Sequence, residues 1–277
     1  MVEAEQIGGV RKFRMARTFA GHAVYFTAAY WVDGLMVDTG CAYTVRELVN
    51  AVNDLSIDLI INTHSHEDHV AGNAALQSKF KVKVFAHPAA LPVLSSPRDH
   101  RLRPYQRIMW GNPTPSNGTA IGEVIETNNH RFEIIHTPGH SQDHICLFEP
   151  LKGWLFSGDA YVGGRDRALR LDYNIWLIIS SLKRMASLKP KVLFPGSGSI
   201  RREPLGDLVL KISYLEEMGE KIFELEQKGW SRLRIRRKLF GIEMPIAYYT
   251  LGHFSGKNLV RSYIEDRPGR ENYLPIP

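Results

Sequence analysis

Cysteine is scarce in this chain, and long apolar runs are missing. Cys41 and Cys146 are the only thiols among 277 residues. A disulfide-framed fold therefore has nothing to build on. Both cysteines lie in strand-like contexts, where small buried core residues are the plain expectation, and this usage suits a reducing cytosol. No stretch approaches the roughly 18 consecutive apolar residues of a membrane span, and the patch Ile175–Ile179 is short and amphipathic. Glu3 and Glu5 fall where a secretory leader would carry its apolar core, so the opening residues do not read as a signal peptide. The expected location is the cytoplasm, with no membrane partner. No internal repeat is evident at 20–50 residues.

What is present is ordinary for a soluble domain: 44% hydrophobic and 23% charged residues over a length that suits one large domain, alone or with an appendage. Lys plus Arg exceeds Asp plus Glu by 35 to 29, a net +6. The basic residues gather at Arg11–Arg17, Arg98–Arg107 and Arg232–Lys238. Solvated faces are the bland reading; an anionic substrate or RNA is the sharper one.

The pattern up to about residue 200 is α/β. Alternating runs at residues 23–27, 29–32 and 35–38, with Asp33-Gly34 between the last two, predict a hairpin. Val45, Leu48, Val49 and Val52 have helical spacing, and Leu59–Ile61 and Lys81–Phe85 read as strands. Residues 88–120 are rich in Pro, Arg, Ser and Gly and predict a long loop with one short helix near Tyr105–Trp110, whose aromatics would lid a site or anchor the loop. Further strands are expected at residues 124–126, 131–135, 145–148, 154–156 and 192–194, with a helix capped by Asp172 before the last. Beyond residue 200 no strand signal of strength remains. Leu208–Gln227, Arg232–Leu239 and Leu259–Ile264 predict a helical C-terminal region over 201–277.

The densest chemistry is Thr63-His64-Ser65-His66-Glu67-Asp68-His69, between an apolar strand and a helix start. Open α/β sheets place ligand sites at such strand ends. His64 and His66 alternate and can point the same way; Asp68 and His69 can turn toward a second point. Imidazoles and a carboxylate are the ligands expected of zinc or a similar transition metal. The bland alternative is a polar loop capping the next helix.

His64-x-His66-x-Asp68-His69 resembles the signature of the metallo-β-lactamase superfamily, and agreement extends along most of residues 18–200. Asp38-Thr39-Gly40, Thr137-Pro138-Gly139-His140-Ser141 and Ser157-Gly158-Asp159 look like the family's other motifs, in order. The resemblance implies a four-layer αβ/βα sandwich for residues 1–200, with the small helical appendage after it. It also implies that His64, His66 and His140 hold one metal, that Asp68 and His69 hold a second, and that Asp159 lies between. Asp68 would further orient a metal-bound hydroxide and carry a proton to the leaving group. Zinc is the expected metal, as one or two ions, with Fe or Mn possible.

The chain departs from the family at the last motif. Pro195-Gly196-Ser197-Gly198 has Ser197 where the family usually has histidine. Three readings stay open: one tight metal and a weak second site, a gap filled by water or by another residue (His22, His144 or His253), or lost catalysis. The family's chemistry is broad, and fold does not choose within it. The helical appendage resembles that of glyoxalase II-like and lactamase-like hydrolases, and His66 argues against the flavodiiron branch. A hydrolase of a small ester, thioester or lactone is the first expectation. A ribonuclease or phosphodiesterase is the second, and a non-catalytic binding protein the third. A small molecule is the expected partner, with RNA the alternative.

Overall fold

The computed structural model describes residues 1–268, so residues 269–277 of the expected appendage lie outside the described residues. The first sheet runs in chain order: β1 (Val2–Ile7), β2 (Val10–Met15), β3 (Thr27–Val32), β4 (Leu35–Val37), β5 (Leu59–Ile61), β6 (Lys83–Ala86) and β7 (Gly118–Ala120). Its first four strands are antiparallel. From β4 onward the pairing is parallel, because helices carry the chain back between strands. These are α1 (Val45–Ala51), α2 (Glu67–Val70), α3 (Asn73–Phe80), α4 (Leu91–Ser95) and α5 (Pro104–Met109). The second sheet is β8 (Val124–Glu126), β9 (Arg131–His136), β10 (Ile145–Glu149), β11 (Trp154–Gly158), β12 (Val192–Pro195) and β13 (Arg201–Arg202).

Side chains alternate across a strand, and the two faces of the first sheet read accordingly. Tyr30, Val32, Leu35, Val37 and Ile61 meet Phe132, Leu147, Phe156 and Phe194 of the second sheet. Ala29, Met36 and Ile60 point the other way, onto Leu48, Leu76 and Leu94 of the helices. Phe156 and Phe194 stack at 4.7 Å, with Tyr30 edge-on to both at 5.6 and 5.5 Å. Each such aromatic pair contributes about 1 kcal/mol beyond area burial. The Tyr30 hydroxyl donates to Pro195 O at 2.5 Å, which ties the end of β12 to β3.

By internal contact the chain divides into two units. One is Met1–His136, Gln142–Val162 and Pro190–Pro204; the other is Thr137–Ser141, Gly163–Lys189 and Leu205 onward. The first holds both sheets. The second holds α6 (Ile175–Ser187), α7 (Leu205–Gln227), α8 (Arg232–Phe240), α9 (Pro245–Tyr249) and α10 (Gly256–Glu265), and Trp176 of α6 stacks on Phe223 of α7 at 5.8 Å and meets Tyr263 of α10 edge-on at 5.7 Å. The helix assigned to the core by its place in the sequence, α6, thus belongs with the C-terminal helices.

Three local expectations change. Asn174, not Asp172, caps α6: its Oδ1 accepts from Trp176 N and Leu177 N at 3.0 and 3.1 Å, while Asp172 holds Arg170 at 2.7 and 2.9 Å. Strands do occur after residue 200, at β13 and at Phe254–Ser255, which pairs with Leu169–Arg170; two-residue strands are too short to show a period. The 88–120 region carries α4 and β7 as well as the expected short helix, because Pro92 and Pro104 sit in first helical turns, where proline is favoured. Cys41 and Cys146 are buried and form no disulfide. Among the described residues no helix is long and apolar enough to cross a membrane.

Candidate metal centre

Asp38 is the point from which the first unit's site is built. It follows β4, is buried, and adopts φ +60°, a left-handed conformation that Asp tolerates better than most residues. Its carboxylate accepts from Thr63 N and Thr63 Oγ1, and meets His69 Nδ1, each at 2.8 Å. Thr63 spends its proton on Asp38, so its oxygen accepts from His64 Nδ1 at 3.0 Å. Both rings are thereby set with a proton on Nδ1 and a lone pair on Nε2, the tautomer a metal ligand needs.

His69 Nε2 is buried and has no hydrogen-bond partner. It lies 3.6 Å from Asp159 Oδ1 and 3.8 Å from Asp68 Oδ2. His64, His69 and Asp159 offer donor atoms all within 4.8 Å of one another, and His64 Nε2 is 2.9 Å from His66 Nδ1. A buried nitrogen facing two carboxylates calls for a cation, a proton in the metal-free protein or a metal ion in its place. The residues therefore fit a divalent metal. His64, His66, Asp68, His69 and Asp159 are brought together in one unit.

His140 lies in the second unit, in the five-residue turn Thr137–Ser141. That turn is fastened there. Gly139 O accepts from Asn174 N at 3.0 Å and Pro138 O from Ser181 Oγ at 2.7 Å. Gly139 has φ +128°, and a β-carbon there would overlap Ile178 N of α6, so only glycine permits the approach. The His140 ring lies 4.4 Å from that of Tyr173, whose hydroxyl is 3.2 Å from His140 Nε2.

Ser197 is half-buried, and its Oγ accepts from Ser199 N at 3.4 Å. A β-carbon on the preceding Gly196 would overlap Asp159 Oδ1 and press on His69 Cε1. The last loop therefore runs against the Asp68, His69 and Asp159 side of the cluster.

Around the cluster stand supporting residues, some without a sequence signal (Asp143, Asn73, Asn62, Gln106) and some the sequence offers in another role (His144, His22, His253, Tyr105, Trp110). His144 is buried, and its Nε2 accepts from Asp159 N at 3.1 Å, so it positions the Asp159 turn instead of ligating. Asp143 accepts from Ser65 N at 2.8 Å and holds the histidine loop. Asn73 Nδ2 donates to Asn62 Oδ1 at 2.7 Å, and Thr39 N donates to His69 O at 2.7 Å. Gln106 on α5 donates to buried Glu67 at 2.9 Å. Trp110 lies between Tyr25 and Tyr105, at 5.5 and 6.2 Å. His87 and His136 stack at 4.6 Å. His22 sits in an exposed two-residue strand, and His253 Nε2 is 3.7 Å from Asp172.

Burial pushes the Asp68 carboxyl up to about 7, against the pull of His69 and helped by Glu67 and Asp159. Burial opposes charge on His69, yet Asp38, Asp159 and Asp68 together raise it well above the usual histidine range. Both shifts act in one direction. In the metal-free protein the folded state holds more protons than the unfolded one from about pH 4 upward through neutrality, so stability falls as pH rises across that window. Chelator-treated protein is expected to melt at a higher temperature at about pH 5.5 than at about pH 8. A melting temperature that climbs steadily over that range would contradict the site's electrostatics.

The sequence model of the metallo-beta-lactamase superfamily matches residues 23–197. A beta-lactamase-like protein 2 homolog of Drosophila melanogaster is 28% identical over 203 residues, covering 69% of this chain and 63% of that protein. Thioesterase pkgB of Emericella nidulans is 29% identical over 146 residues, covering 53% of this chain and 36% of that protein. Each alignment thus spans less than two thirds of the relative's length. A crystal structure of a beta-lactamase domain protein from Burkholderia ambifaria superposes with TM-score 0.70 at 18% identity, covering 94% of this chain and 86% of that one, a likeness of fold. Matched over well more than half its length, with the motif residues in place, the chain belongs to the metallo-beta-lactamase superfamily.

Proposed function

We propose that this chain is a metal-dependent hydrolase of a small activated acyl compound, a thioester before a simple ester or lactone. The observation that carries the reading is the orphaned, buried Nε2 of His69 facing Asp68 and Asp159. The thioesterase among the relatives supports the acyl class. His64, His66 and His140 would hold one metal, and Asp68 and His69 a second, with Asp159 between them. Imidazole and carboxylate donors suit zinc, iron or manganese. Such a metal polarises an acyl carbonyl and lowers the pKa of water.

The chain's own groups do the rest. Asp38 keeps the His69 and His64 rings in the ligating tautomer through Nδ1 and Thr63. His144 and Asp143 hold the Asp159 turn and the histidine loop in register. Asp68 would accept a proton from the attacking water and return it to the departing thiolate or alkoxide, as a general acid–base does. Preorganisation by these buried hydrogen bonds spares reorganisation during reaction.

The test is turnover by the purified chain with added Zn, Mn or Fe of four substrates: a thioester, a lactone, a β-lactam and bis-p-nitrophenyl phosphate. Thioester cleavage is expected to lead, and joint replacement of His64 and His66 by alanine is expected to reduce it about a thousandfold or more. Preferred cleavage of the phosphodiester would replace this reading with a nuclease one. Turnover that survives loss of both histidines would remove the metal from the chemistry.

A further inference from the structure

The Arg98–Arg107 run bounds a solvent-open cavity of about 730 Å3, lined among others by the exposed Arg98, Arg101 and Arg107 and by His100 and Asn112. The size matches a pocket for a ligand rather than a single ion. No carboxylate lines it, and among the described residues Arg98, Arg101 and Arg107 take part in no ion pair. Three arginines line the cavity and no carboxylate does, which gives it a positive potential. A single carboxylate would neutralise one of them. A ligand bearing two or more phosphate charges would neutralise them together, and the guanidinium fork matches phosphate oxygens in pairs.

The wall is also fastened to the proposed catalytic loop. Arg107 follows Gln106 on α5, and Gln106 Nε2 donates to Glu67 Oε1 at 2.9 Å, with both residues buried. Tyr43 OH donates to Arg107 O and Ala42 N to Trp110 O, each at 2.9 Å. Glu67 lies between His66 and Asp68 in the chain. The arginine-bearing helix α5 is thus hydrogen-bonded to the loop that carries His66 and Asp68.

We propose that this cavity binds the phosphate-bearing tail of an acyl-thioester substrate, so that the enzyme selects thioesters whose leaving thiol carries phosphate groups. The assignment of the tail rests on the thioester reading above; the anion site itself does not.

Two measurements on the full chain separate these layers. In the first, calorimetric titration with inorganic pyrophosphate is compared between the parent and the variant R98Q/R101Q/R107Q. Binding is expected to weaken about a thousandfold in the variant, at roughly tenfold for each lost charged hydrogen bond. In the second, metal-loaded protein is given acetyl-CoA and S-acetylpantetheine, which share the thioester and differ in the phosphorylated nucleotide. The parent is expected to prefer acetyl-CoA by about a hundredfold in kcat/KM, through KM, and the variant to lose that preference while its kcat on S-acetylpantetheine stays unchanged. The substituted residues carry no buried contact, and equal melting temperatures would show that folding is intact. Absent pyrophosphate binding, or binding indifferent to the three arginines, overturns the site. Arginine-dependent pyrophosphate binding with equal use of both thioesters overturns the tail assignment and makes a free phosphate compound the ligand. Failure to cleave either thioester sinks the thioester reading, while the pyrophosphate titration still decides the cavity.

Discussion

Replacing Asp38 by alanine is expected to abolish hydrolysis and to lower unfolding stability by about 3 kcal/mol. The carboxylate is buried and satisfies the Thr63 amide, the Thr63 hydroxyl and His69 Nδ1, each at 2.8 Å. Alanine leaves all three without a partner in a site closed to bulk water. It must also adopt φ +60°, which costs alanine more than aspartate. A loss of activity through unfolding would teach little, so Asp38→Asn is the decisive companion. Asparagine tolerates the same backbone and keeps an oxygen for the Thr63 amide. It turns an amide NH2 toward Thr63 Oγ1 and His69 Nδ1. The His69 proton then moves to Nε2, and the ring can no longer offer that nitrogen to a metal. The asparagine variant is expected to retain most of the thermal stability while metal affinity falls about 10- to 100-fold, read by competition with a chromogenic chelator. Unchanged metal affinity in Asp38→Asn would mean that the tautomer is not set from Asp38.

The residues that can be read in a row were legible before the fold was known. The His64–His69 segment concentrates ligand types that rarely cluster by accident, and Asp38, His140, Asp159 and Ser197 follow in the order of a resemblance. Strands such as β3, β9 and β10 were legible as short runs rich in apolar, β-branched and aromatic residues. The hairpin of β1 and β2 was not anticipated, because Arg, Lys and Glu occupy many of its positions. The supporting contacts were illegible on principle. Asp143 to Ser65 spans 78 positions, and Gln106 to Glu67 spans 39. His144 resembles a spare ligand in the sequence, four residues past His140. In the fold its Nε2 is taken by the Asp159 amide. Chemistry written in residue types survives in a string; chemistry that depends on which lone pair is occupied does not.

Replacing Ser197 by histidine is expected to raise affinity for the second metal equivalent on the order of a hundredfold, with little change in the first. The parent should bind one ion tightly and another weakly, as resolved by titration against a chelator of graded strength. The reasoning starts from the neighbouring residue. Gly196 lies so close to Asp159 Oδ1 and His69 Cε1 that it could not bear a side chain, and Gly196 N donates to Gly158 O at 2.7 Å. The backbone of the last loop is therefore held against the Asp68–His69–Asp159 side of the cluster whatever residue stands at 197. What differs from the family pattern is the donor: a neutral hydroxyl, already accepting from Ser199 N at 3.4 Å, is a poor ligand for a divalent transition metal. An imidazole at that position adds the missing type of donor without moving the loop. Ser197→Ala separates the remaining possibilities. If the hydroxyl contributes nothing, alanine leaves both affinities as they are; a loss of the second ion would make Ser197 a ligand after all. Ser199→His, one exposed position beyond Gly198, is the control for added histidine on the surface and is expected to change neither affinity. If Ser197→His also changes neither, the loop does not present residue 197 to the cluster, and the weak second site must be explained by Asp68, whose carboxyl near 7 would leave a metal to compete with a proton at neutral pH.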